Sequence, residues 1–141
     1  MNRRTDVCRE MSLSANVEVV EDWWETLRVR LAEAPLPSYR AVLFFESLTE
    51  AEKQFNMFVN WMAPDKSDVA RRVAYWDAHY IQFTSLQHDK DAILRHAGCE
   101  YCDVFILDEK WSMFEMQYIV TRIRSQCGLQ GKLFMEGENE S

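Results

Sequence analysis

Hydrophobic positions along the 141-residue chain recur in two periods, and the changes of period divide it into elements. From Val17 the spacing is helical: Val20, Trp23 or Trp24, Leu27 and Leu31 share one face. Pro35 and Pro37 close this run, because proline lacks an amide donor and steers the residue before it away from helical dihedrals. The spacing therefore predicts a helix over 17–34. Residues 40–47 (RAVLFFES) form a continuous apolar run instead, as in a strand buried on both faces of a parallel sheet. Ser47-Leu48-Thr49-Glu50 has the pattern of a capping box, with the Ser47 hydroxyl accepting the Glu50 amide and the Glu50 carboxylate reaching back. The helix it opens carries Ala51, Phe55, Phe58, Val59 and Met62 on one face and stops at Pro64.

Between 65 and 84 the two periods compete. Val69, Val73 and Trp76 fit a helix, whereas the aromatic stretch from Tyr75 to Phe83 alternates like a strand. The compromise is a short helix over 67–76 and a strand over 79–84. Ser85 then caps a predicted helix over 86–97, with Gly98 where helices take a left-handed residue. Residues 102–107 (CDVFIL) are predicted as a strand, and Asp108 caps a helix over 109–127 whose apolar face runs from Trp111 to Ile123. Residues 132–136 (KLFME) supply a fourth strand.

Strands that alternate with helices favour βαβ connections. The expected fold is α/β, a mostly parallel four-stranded sheet with helices on both faces. The alternative is an α+β ferredoxin-like sandwich. Residues 1–15 are polar and unpatterned and read as a loose N-terminal arm, 16–136 as one domain, and 137–141 as an acidic tail.

Composition adds limits on function. Hydrophobic residues at 48% and five tryptophans are enough for a core that needs no staples. The net charge is −7, and the basic residues fall in short spots (Arg3-Arg4, Arg71-Arg72, Arg122 and Arg124). Phosphate backbones are held by clustered cations, so neither nucleic acid nor an anionic membrane is expected as a partner. A basic protein surface is the complementary one. The longest apolar runs, 41–45 and 104–107, fall far short of the ~20 residues that span a bilayer. No apolar segment follows the early arginines, as a secretory signal would require. Four cysteines without an export signal point to a reducing compartment, the cytoplasm.

The sharpest local motif is His96-Ala97-Gly98-Cys99-Glu100-Tyr101-Cys102, a compact set of nitrogen and sulfur ligands of the kind zinc takes tetrahedrally. His88, Cys127 or Cys8 could complete it. Against it, no second knuckle exists, and the same residues fit a loop, a buried strand and a helix C-terminus. A redox role for the cysteine pair is disfavoured, since such pairs sit at helix N-termini. Glu46-Ser47, Thr84-Ser85 and Asp108-Glu109 fall where strands hand over to helices, the edge where open parallel sheets bind ligands. Helix capping already accounts for these residues. Asp77 and His79 could join them in a hydrolase, yet no G-x-S-x-G elbow, Walker loop or dinucleotide fingerprint is present.

The remaining signal is aromatic. Trp23 and Trp24 lie about 100° apart on one helix and cannot both sit at the centre of a buried face. Met57 and Trp61 flank the apolar stripe of the next helix, and Trp111 does so on the last. Exposed Trp and Met are characteristic of protein-binding surfaces. The expected function is thus a small acidic protein-binding or regulatory module, with an inhibitor or antidote of a more basic partner as its concrete form. Trp23, Trp24, Met57, Trp61 and Trp111 are its contact residues, toward a protein partner or a second copy. A zinc-stabilised binding domain using His96, Cys99 and Cys102 is one alternative. A small metal-dependent hydrolase using Glu46 and Asp108 is another. No catalytic residue is assigned, and zinc is the only cofactor entertained.

Overall fold

A computed structural model describes residues 17–33, 39–76, 79–85, 87–88, 103–107 and 132–136. In chain order these form β1 (Val17–Val20), α1 (Trp23–Glu33), β2 (Arg40–Phe45), α2 (Leu48–Met62) and β3 (Lys66–Asp68). They continue with β4 (Val73–Trp76), β5 (His79–Ser85), β6 (Asp103–Ile106) and β7 (Leu133–Glu136). All seven strands join one sheet in the order β1-β7-β6-β2-β5-β4-β3. From β1 to β5 the neighbours are parallel, and β5, β4 and β3 continue as an antiparallel meander.

The α/β class is as expected, but the sheet has seven mixed strands rather than four mostly parallel ones. Two differences account for this among the described residues. Residues 17–20 (VEVV) are a strand, where the spacing had predicted the start of a helix. Four residues satisfy either period locally, and pairing of Val17 through Val20 with Leu133 through Glu136 decides for the strand. The helix starts only after Asp22, whose Oδ1 accepts the Trp24 and Glu25 amides at 3.0 and 3.3 Å. The second difference is 67–76, predicted as a helix and found as the β3–β4 hairpin. Its turn is stabilised by Asp68, which accepts the Arg71 amide at 3.1 Å, and Arg72 is held in the left-handed region at φ 56° by its Nε, which donates to the Phe83 carbonyl at 2.8 Å. Turn chemistry and β-branched Val73 outweighed the helical spacing.

Other expectations hold closely. β2 spans most of the predicted 40–47 strand, and every residue from Ala41 to Phe45 is buried. Ser47 caps α2 by accepting the Glu50 amide at 3.1 Å. The reciprocal half of the box is not formed: Glu50 Oε1 accepts the Gln54 amide nitrogen at 2.8 Å instead. Ala63, left-handed at φ 45°, ends α2 with its amide on the Val59 carbonyl, and Pro64 prevents continuation. β5, β6 and β7 lie within about a residue of their predicted positions. The predicted helices over 86–97 and 109–127 lie outside the described residues, apart from Ser85, whose hydroxyl accepts the His88 amide at 3.1 Å as a cap would.

The strand register sorts side chains to two faces. Ala41, Leu43 and Phe45 share a face with Ile81, Phe83, Phe105 and Phe134, and α1 and α2 pack on it through Leu27, Ala51, Phe55 and Phe58. Phe83 is the hub: its ring lies 5.2 to 5.8 Å from those of Phe45, Phe55 and Phe58. On the other face Val42, Phe44, Val104, Ile106, Leu133 and Met135 are buried too. The parallel centre of the sheet is therefore covered on both sides, in keeping with the unbroken apolar run that predicted β2.

A buried carboxylate stands in this core. Asp103, fully buried at the start of β6, accepts Arg30 Nε and Nη2 at 2.8 and 3.1 Å, the Tyr39 hydroxyl at 2.6 Å and the Lys132 amide at 2.9 Å. A carboxylate removed from water needs such compensation. The cluster locks the second half of α1 onto the amino-terminal edge of the sheet. Nearby, the Tyr39 amide donates to His79 Nδ1 at 3.0 Å.

Candidate functional site

The carboxyl edge of the sheet delivers α1 and α2 side by side on one face. The start of α1 is tied down at two points: by the Asp22 cap, and by the Trp23 amide, which donates to Glu136 Oε2 at the end of β7 at 3.1 Å. From this fixed origin the two indoles diverge by about one helical step of 100°. Trp23 turns onto the sheet, with its ring 5.5 Å from Phe45 and 6.4 Å from Phe83. Trp24 turns toward α2, 5.6 Å from Phe58 and 6.0 Å from Trp61. All four contacts are edge-to-face, the arrangement that the ring quadrupoles favour.

Helix α2 contributes the opposite wall. Gln54, Met57, Phe58 and Trp61 fall at i, i+3, i+4 and i+7, which places them on one stripe. Together with Trp23 and Trp24 they line a cleft of about 330 Å³. That is within the range of small ligand or side-chain pockets. The outer lip is apolar and wet: Trp61 is 72% exposed and Met57 49%. Glu21 and Asp22, just before the two tryptophans in the chain, are exposed, as is Glu25. Glu25 also pairs with Arg28 at 3.1 Å on the surface. Gln54 is the polar member of the lining, and its amide nitrogen is held by Glu50.

Four of the five predicted contact residues, Trp23, Trp24, Met57 and Trp61, thus meet in one place, although they come from two helices. Trp111 lies outside the described residues. Phe58, Gln54 and the positioning role of Glu136 were not singled out from the sequence. The first two could have been, because they complete the i, i+3, i+4, i+7 stripe with Met57 and Trp61. Glu136 gave no local signal, since its role depends on β7 lying beside β1.

The other candidates fare differently. His96, Cys99 and Cys102, the zinc motif, lie outside the described residues, as do Cys8 and Cys127. Among the described residues no three His, Cys, Asp or Glu side chains gather as metal ligands would. Glu46 is exposed just past the carboxyl end of β2, whereas His79 opens β5 at the opposite edge. The pairing of Arg40 with Tyr80 and of Phe45 with Ser85 separates the two by the length of the strand, about 20 Å at ~3.3 Å per residue. Ser47 caps α2, and the Ser85 hydroxyl accepts the His88 amide. Asp77 and Asp108 lie outside the described residues. A second, more open hollow between Glu25, Arg28, Val29, Leu31, Ala32, Met62 and His79 gathers no chemical constellation.

Among the described residues no helix is long and apolar enough to cross a membrane. The described fold and cleft define a class: an α/β sheet protein with a tryptophan-walled cleft formed by the two helices on one face. A comparison with protein-family models gives no match, and searches among curated proteins and among solved structures give none either.

Proposed function

We propose that this chain is an acidic protein-binding or regulatory module that engages a basic protein partner through the α1–α2 cleft. An inhibitor or antidote of that partner is the concrete form, acting in the reducing environment of the cytoplasm. The observation that carries this reading is the convergence of Trp23, Trp24, Met57 and Trp61 on one cleft, with Trp61 left 72% exposed at its lip. Interfaces are centred on such aromatic and methionine side chains, rimmed by polar groups. The net charge of −7 supports the choice of a basic partner, whose approach it would accelerate.

The test is capture from the native host by the wild-type chain and by Trp61→Ala, followed by reconstitution with the purified partner. Truncation of a central interface tryptophan costs about 2 kcal/mol or more, roughly thirtyfold in affinity. Support requires a basic partner in a defined complex that Trp61→Ala weakens by that much while remaining folded. A complex indifferent to Trp61→Ala and Met57→Ala would end the proposal, and self-association lost on Trp61→Ala would reassign the cleft to a second copy. Nothing among the described residues favours the zinc-stabilised or hydrolase alternatives over this reading.

A further inference from the structure

The walls and the polar edge of the cleft are not neutral with respect to what fills it. We infer that the anchor it takes is a cationic side chain of the partner, an arginine; this rests on the reading of the cleft as a protein-binding site. Trp24 stands edge-on to both Trp23 and Trp61, each at 81°, so the three indoles form two successive corners. With Trp61 72% exposed, an indole π-face remains open at the outer corner. Indole faces are the strongest π partners for cations among side chains.

The polar groups point the same way. No Lys or Arg lines the cleft among the described residues. Gln54 donates through Nε2 to Glu50 Oε1 at 2.8 Å, which assigns its carbonyl oxygen as the acceptor left over. The Glu50 carboxylate that holds it is half-buried one turn earlier on α2, and Glu21 and Asp22 are exposed just before the tryptophans in the chain. Of the cations of these two helices, Lys53 is exposed, Arg28 is paired to Glu25 and Arg30 to Asp103. An aliphatic anchor would desolvate the Gln54 carbonyl with no donor to offer it. A guanidinium lays its plane on an indole and directs its N–H groups to that oxygen, and it sheds water more readily than an ammonium.

The experiment follows the indole N–H signals of the ¹⁵N-labelled full chain, with Trp61 identified by its loss in Trp61→Ala. The probes are N-acetyl-arginine methylamide and its citrulline and norleucine counterparts. Citrulline keeps the shape of arginine and lacks the charge. The arginine probe is expected to shift the Trp24 and Trp61 signals, with citrulline about tenfold weaker and the arginine response reduced about threefold by Glu50→Gln. Equal or stronger binding of norleucine overturns the cationic anchor and leaves the protein-binding cleft standing with an apolar one. Equal binding of citrulline also overturns it. Silence from all three probes overturns both readings.

Discussion

Asp103 shows how much a single buried residue decides. Its carboxylate accepts Arg30 Nε and Nη2, the Tyr39 hydroxyl and the Lys132 amide, each at 3.1 Å or less. Arg30, one of those donors, also lies over the Phe134 ring at 5.5 Å, so the pair joins polar and aromatic packing. Removing one member of such a buried pair leaves the other charge uncompensated. Asp103→Ala is therefore expected to destabilise the fold by about 3–5 kcal/mol in urea unfolding. Tyr39→Phe, which deletes one donor to the carboxylate, should cost only about 1 kcal/mol. The cleft has the opposite sensitivity. Trp61, exposed and supported by one ring contact with Trp24, should change stability by only about 0.5 kcal/mol on truncation to alanine. Phe83→Ala, at the hub of the core, should cost about 3–5 kcal/mol. Thermal unfolding of the two variants side by side separates binding surface from core; equal losses would place Trp61 in the core.

At the scale of elements, the β3–β4 hairpin is built from its turn. Asp68 accepts the Arg71 amide at 3.1 Å and pairs with its guanidinium at 3.0 Å. The backbone bond first, and the ion pair second, hold the Asp68 carboxyl below the ordinary aspartate value of 3.8, and the Arg71 guanidinium is raised in turn. A depressed folded-state value means that the carboxylate stabilises the hairpin at neutral pH. That support is lost as pH falls through the lowered value. Arg71 is exposed and Asp68 partly so, at the surface, so the effect is local and salt-screened. An NMR titration should show the Arg71 amide moving with a midpoint below 3.8. Asp68→Asn should abolish that transition and raise exchange of the hairpin amides, and a midpoint at or above the ordinary value would refute the cap.

Seen whole, the molecule divides into what short-range pattern could reveal and what it could not. β2 and α2 were legible because a continuous apolar run, a serine cap, a periodic stripe and a proline all agreed over 40–64. β5, β6 and β7 were legible from their apolar cores. β1 was not, because four residues carry too little periodicity and their partner lies more than a hundred positions away in β7. The hairpin was lost to a helical coincidence among Val69, Val73 and Trp76, of which Val69 is 70% exposed and belongs to the turn. Strand order was beyond reach for the same reason: parallel pairing depends on crossovers, not neighbours.

The cleft divides along the same line. Local rules of helix geometry were enough to show that Trp23 and Trp24 could not both be central to one face, and that Met57 and Trp61 flanked another. Burial, capping and charge are properties of a residue and its near neighbours, and the chain declares them directly. That the two aromatic pairs confront each other across one cleft, and that Glu136 holds the first of them in place, depends on the sheet bringing β1, β7 and β2 together. Long-range pairing, whose partners carry no mark of one another, is settled only when the packed molecule closes.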